Sequence, residues 1–145
     1  MQVNNALHKD HLFKCRECHI EIAIFNDDIL LLGNVPNQKL KHEAYKRVAK
    51  IRGPHRLFNQ ISVSPLTNDS LKDSFITTKI RSQIIANSKI DPHAFKIVTY
   101  EGNVYLMGNV MPEQADLVVD IARKTQGVRQ VVKLFRYYKL SDQVT

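Results

Sequence analysis

Two stretches that read almost alike decide the fold: Ile20–Val35, IEIAIFNDDILLLGNV, and Phe95–Val110, FKIVTYEGNVYLMGNV. At an offset of 75 residues, Ile20, Ile22, Ile29, Leu31, Gly33, Asn34 and Val35 stand opposite Phe95, Ile97, Val104, Leu106, Gly108, Asn109 and Val110. In each stretch apolar residues alternate on both sides of a polar turn, which is the pattern of a β-hairpin. In the second copy Phe95, Ile97 and Thr99 form one arm, Glu101-Gly102-Asn103 the turn, and Val104, Leu106, Gly108 and Val110 the other arm. After a one-residue slip the match resumes with Gly53 opposite Gly127. Self-similarity at a fixed offset means two copies of one small module.

The flanking residues complete each copy. Ahead of the second hairpin, Ser70 and Asp73 fit a capping box. Ile76, Ile80 and Ile84, with Ile85 beside them, make a helix stripe that ends near Asn87. After the hairpin, Pro112–Lys124 carries Ala115, Leu117, Val118, Val119, Ile121 and Ala122 on a second helix, which Gly127 stops; Val131–Tyr138 is the last strand. The first copy predicts a shorter opening helix over Gln2–Phe13 and a final strand over Leu57–Val63. The order is helix, strand, strand, helix, strand. The hairpin is antiparallel, and the helical crossover permits a parallel third strand. The expected fold is α+β, with two small modules, each a three-stranded mixed sheet with two helices on one face. Pro65 breaks the pattern near Ser64, Leu66 and Thr67, so the modules are expected over 1–65 and 66–145. Each is small enough that docking of the two would add to stability.

The 145 residues are 43% hydrophobic and 24% charged, which are globular values. The longest apolar runs, Ile22–Phe25 and Ile29–Leu32, are far short of the roughly 20 residues that span a bilayer. Met1–Asp10 lacks an apolar h-region, so no signal peptide is expected in it. The net charge of +7 suggests an anionic partner. Seven bases stand between Lys39 and Arg56 against one acid, Glu43. Lys46, Arg47 and Lys50 in this stretch are expected to form a basic patch that adds an electrostatic contact or faces a protein partner.

Cys15-Arg16-Glu17-Cys18-His19 fits the C-x-x-C-H signature of haem attachment, and His8, His11, Cys15, Cys18 and His19 are ligand types that zinc accepts. The motif runs straight into the strand at Ile20 on a scaffold with no evident haem-sized pocket. The favoured reading is two ordinary thiols near a loop, with a local disulfide or a zinc site as alternatives; no metal and no cofactor is expected. Catalytic signatures such as Gly-x-Ser-x-Gly, a P-loop and H-E-x-x-H are absent, so no enzyme is expected. Phe135, Tyr137 and Tyr138 beside Arg136 and Lys139 could stack bases, but alternating aromatics in a strand are more often half core and half surface; no nucleic acid is expected.

Three strings carry a family resemblance: Val3-Asn4-Asn5-Ala6-Leu7, Leu30-Leu31-Leu32-Gly33 with Pro36-Asn37, and Asp73-Ser74-Phe75-Ile76-Thr77-Thr78-Lys79-Ile80-Arg81-Ser82-Gln83. With Gly-x-Val at Gly33 and Gly108, the chain resembles the BON domain, in tandem and over nearly its whole length. The resemblance implies a non-enzymatic periplasmic protein, tethered by a lipidated cysteine to the inner leaflet of the outer membrane, that supports envelope integrity. It also implies binding of anionic phospholipid, notably phosphatidylglycerol, through the first helix of the second module, where the family's Trp is matched by Phe75. Read by itself, that helix turns Phe75 about 100° from Ile76, at or beyond the edge of the buried stripe. An aromatic near a helix start with cations around it suits an interfacial anchor. The expected lipid-binding residues are Phe75, Ile76, Thr78, Lys79, Arg81 and Ser82, Ile76 being the one whose stripe also faces the core. The alternatives are burial of Phe75 against the first module, and a protein-interaction module of the envelope with no lipid role.

Overall fold

The structure, a computed structural model, describes residues 2–53, 56–65 and 69–138. The chain divides into two compact units, Met1–Thr67 and Asn68–Thr145. Of the expected boundary residues, Leu66 and Thr67 lie outside the described set.

The second unit runs α3 (Ser70–Ala86), a 3-10 turn (Pro92–Ala94), β5 (Phe95–Tyr100), β6 (Asn103–Val110), α4 (Pro112–Lys124) and β7 (Gln130–Tyr137). The first runs α1 (Gln2–Leu7), β1 (His19–Phe25), β2 (Asp28–Val35), α2 (Gln38–Ala49), β3 (Arg56–Asn59) and β4 (Ser62–Val63). Both sheets are mixed: β5 is antiparallel and β7 parallel to β6, while β1 is antiparallel and both β3 and β4 are parallel to β2. This is the expected α+β fold in two modules.

The core of the second unit joins Ile76, Ile80 and Ile84 of α3 and Ala115, Val118, Val119 and Ala122 of α4 to Phe95, Ile97, Val104, Leu106 and Phe135 of the sheet. One cluster from alternate strand positions and two helix stripes puts both helices on one face. The first unit repeats this with Val3 and Leu7, Ala44 and Val48, and Ile29, Leu31 and Val35.

The repeated glycines have a common cause. A Cβ at Gly33 would collide with the His19 carbonyl oxygen, and a Cβ at Gly108 would lie 2.5 Å from that of Ala94. His19 and Ala94 are themselves 75 residues apart, so each module crosses its hairpin by the same close approach, which only glycine permits. The second hairpin turns through Glu101 at φ 52° and Gly102 at φ 79°, a type I′ geometry matched to strand twist.

Three expectations are corrected. The opening helix stops at Leu7, not Phe13. Arg47 donates to the Leu7 carbonyl at 3.0 Å and so takes up the helix end, Asp10 accepts from Leu12 N–H at 3.0 Å, and Phe13 turns into the core. The last strand of the first unit is broken between Asn59 and Ser62. There Asn59 spends its side chain on the Lys41 carbonyl and the Ile61 N–H, and Ile61 drops into the core. The capping box at Ser70 does not form. Asp69 caps α3 by accepting from Lys72 N–H at 3.2 Å, which frees Asp73 for another partner.

Candidate membrane-facing site

Asp73 is buried on the inner side of α3, and its carboxylate accepts from Glu101 N–H at 2.8 Å and Gly102 N–H at 2.9 Å. The first turn of α3 is thereby tied to the hairpin turn. Farther along, Thr77 and Thr99 hydroxyls meet at 2.7 Å, and Gln83 donates to Thr125 Oγ1 at 3.1 Å. These ties, with Ile76, Ile80 and Ile84, fix which side of α3 faces outward.

That outward side is apolar as well. Leu71 is 86% exposed, Ile85 67% and Phe75 60%, and they are the three most exposed large hydrophobic side chains among the described residues. At about 100° per residue they share one side of the helix, opposite the isoleucine stripe. Thr78 and Ser82 lie between them, also exposed. The Lys79 ammonium sits over the Phe75 ring, 4.8 Å from its centroid, an aromatic–cation pair on the surface.

Beside this face runs an open groove of about 530 Å³. Phe75, Thr78, Lys79 and Ser82 line one wall; Lys124 and Thr125, where α4 ends, line the other. Ser82 donates its hydroxyl to the Thr78 carbonyl at 2.9 Å, leaving its oxygen able to accept. Lys124 pairs with Asp120 at 2.9 Å, but both are largely exposed, so the pair is weak and the ammonium stays available to another anion.

Of the six expected residues, four line this groove together. Ile76 is 1% exposed and packs in the core next to Gly127, so it does not reach the surface. Arg81 is exposed but lies about 120° around the helix from Phe75, outside the groove. Sequence reading missed Leu71, and it placed Ile85 beside the core stripe. The signal was present: Leu71, Phe75, Thr78, Ser82 and Ile85 follow helical spacing, but an apolar residue next to an apolar stripe reads as core.

The basic patch is corrected too. Arg47 is 8% exposed and takes no part in a surface. It donates to Asp10 Oδ2 at 2.9 Å and Glu43 Oε1 at 3.1 Å, and its guanidinium lies over the Phe13 ring. These hydrogen bonds hold the Asp10 and Glu43 carboxyls below their ordinary values and raise Arg47 above its own. Lys46 and Lys50 remain exposed.

Cys15 and Cys18 form a disulfide, with Cα atoms 5.1 Å apart, which overturns the reading of two free thiols. Among the described residues no three His, Cys, Asp or Glu side chains gather as a metal would need. Phe135 packs edge-on against Phe95 in the core, so of the base-stacking candidates Tyr137 is exposed and Lys139 lies outside the described residues. No helix among the described residues is long and apolar enough to cross a membrane.

Two helices on one face of a small mixed sheet, twice in one chain, is the architecture expected from the resemblance, the last strand being broken in two in the first unit. The BON domain pattern matches residues 1–65 and 72–138, and the chain belongs to the BON-domain family, with two such domains in tandem. It is 33% identical over 138 residues to the outer membrane lipoprotein DolP of Haemophilus influenzae, covering 94% of this chain and 71% of that protein. It is 32% identical over 133 residues to the 21 kDa hemolysin of Actinobacillus pleuropneumoniae, covering 90% of this chain and 68% of that protein. Among solved structures, CdsD, a structural protein of the type III secretion system of Chlamydia trachomatis, aligns with 99% of this chain and 93% of its own at a TM-score of 0.41 and 12% identity, a likeness too distant to bear on function.

Proposed function

We propose that this protein is a non-enzymatic component of the bacterial envelope that binds anionic phospholipid, phosphatidylglycerol-like, through the outer face of α3. The observation that carries the reading is the concentration of exposed apolar side chains on that one face, Leu71, Phe75 and Ile85, beside Lys79. An apolar strip rimmed by cations suits a bilayer interface whose headgroups are acidic. Phe75, Thr78, Lys79 and Ser82 form the centre of the site, Lys124 adds a cation from α4, and Arg81 acts only through its charge. The name of the DolP relative, an outer membrane lipoprotein, supports a place in the envelope; a lipid tether to the inner leaflet of the outer membrane and a role in envelope integrity belong to the same proposal.

The experiment is co-sedimentation with vesicles of phosphatidylcholine alone or with phosphatidylglycerol, for wild type and Phe75→Ala. Burying a Phe is worth about 2 kcal/mol, and the exposed share of Phe75 brings this to about 1 kcal/mol, or about a five- to tenfold loss of affinity. Selective binding to the acidic vesicles that Phe75→Ala weakens by that amount supports the site. Equal binding of both proteins refutes it. Absence of binding to either vesicle favours a protein-interaction module.

A further inference from the structure

We infer that the outer face of α2 is a second contact for the phosphate headgroups of an anionic bilayer, separate in residues from the α3 face though sharing its ligand chemistry. Gln38, His42, Tyr45 and Ala49 recur at helical spacing and are all exposed. The His42 and Tyr45 rings stack, with centroids 6.3 Å apart and planes 15° from parallel. Lys39, Lys46 and Lys50, seven and four residues apart, run as an exposed row along one margin of this strip.

The acid of the stretch, Glu43, falls in the same row, four residues after Lys39 and three before Lys46, so the row carries three cations against one acid. Glu43 is engaged by Arg47, itself buried, and only loosely by Lys46 at 3.9 Å. Lys39 and Lys50 form no ion pair among the described residues. At the start of α2 the arrangement runs against what would stabilise the helix, whereas Lys46 in the last turn suits the dipole. The first turn holds no acid, and Lys39 and Lys41 stand near the positive end of the helix dipole. Cations there weaken α2, so folding does not account for them; an external anion does. A stacked aromatic pair with polar edges, bordered by long lysine stems, suits the depth at which headgroups meet acyl chains.

The test uses the full chain with phosphatidylglycerol–phosphatidylcholine vesicles, at low and moderate salt. Wild type is compared with Lys39→Gln/Lys46→Gln/Lys50→Gln, with Phe75→Ala and with the two combined. Each lysine near an acidic surface is worth about a fivefold change in affinity, so the triple variant should bind at least about 20-fold more weakly and with a flatter salt dependence. Its melting temperature should move little, because Lys39→Gln takes a cation from the helix start while Lys46→Gln and Lys50→Gln take cations from its end. Binding by the triple variant within about twofold of wild type overturns the inference. So does a single-stranded oligonucleotide that wild type binds more tightly than the vesicles and the triple variant does not. Loss in Phe75→Ala alone leaves the α3 reading standing and this one refuted; loss in the triple variant alone does the reverse; absence of vesicle binding by wild type refutes both.

Discussion

Replacing Asp73 by Asn tests whether α3 is held to its hairpin by one carboxylate. The side chain keeps its shape but has one carbonyl oxygen in place of two acceptors. In the native arrangement the two oxygens serve Glu101 N–H at 2.8 Å and Gly102 N–H at 2.9 Å, the second fully enclosed. Asn can serve one of these with a weaker neutral bond, and its amide group then faces the other donor. A charge-assisted bond is worth about 1.5–3 kcal/mol, and an orphaned buried donor costs about 1–3 kcal/mol. The two costs overlap, because both describe the same lost contact, so the expected loss is about 2–3 kcal/mol. For a unit of this size that lowers its melting temperature by roughly 8–24 °C. The assay is thermal unfolding followed by circular dichroism, with hydrogen exchange read at the Glu101 and Gly102 amides. Both amides should exchange faster in the variant than in wild type. A loss under about 1 kcal/mol with unchanged exchange at these two amides would refute the reasoning.

Three further outcomes are expected. Gly108→Ala should destabilise the second unit by more than about 2 kcal/mol, because its Cβ meets the Ala94 carbonyl oxygen at 2.5 Å across the paired strands; denaturant unfolding measures it. Arg47→Met should lower the melting temperature of the first unit. The Asp10 and Glu43 carboxyls are held below their ordinary values, so their contribution is present above about pH 4 and is lost as pH falls through their lowered values. The gap between wild type and Arg47→Met should therefore narrow in acid, which a melting series against pH reads directly. Reduction of Cys15–Cys18 opens a loop of only four residues, worth about 2 kcal/mol at most in chain entropy, so a reductant should lower the first unit's melting temperature by no more than roughly 15 °C and leave the second unit unchanged.

The repeat made most of the fold legible. Alternation in Ile20–Val35 and Phe95–Val110 gave both hairpins, and the spacing of Ile76, Ile80 and Ile84 gave α3 with its end at Ala86. The misses share a cause: side chains that bond far along the chain. Asp73 reads locally as a cap but serves a turn 29 residues away, and Arg47 reads as a surface base but serves Leu7, 40 residues away. Periodicity carries no record of such partners. The site was half legible, because Phe75, Thr78, Lys79 and Ser82 follow from the helix and the resemblance. Lys124 and Thr125 come from another helix, and the outward turn of Leu71 and Ile85 depends on which stripe wins the core.

The three ties that hold α3 bear on how it would meet a surface. Many helices that bind bilayers are disordered in water and coil only on arrival, so their affinity reports how readily lipid packing admits a folding chain. A helix already fastened at Asp73, Thr77 and Gln83 has no such step. It arrives as a rod about 25 Å long with its side chains in place. On the proposed reading its grip would come from the apolar strip and from headgroup charge with no folding step, so vesicle curvature should matter less to it than to a helix that coils on arrival.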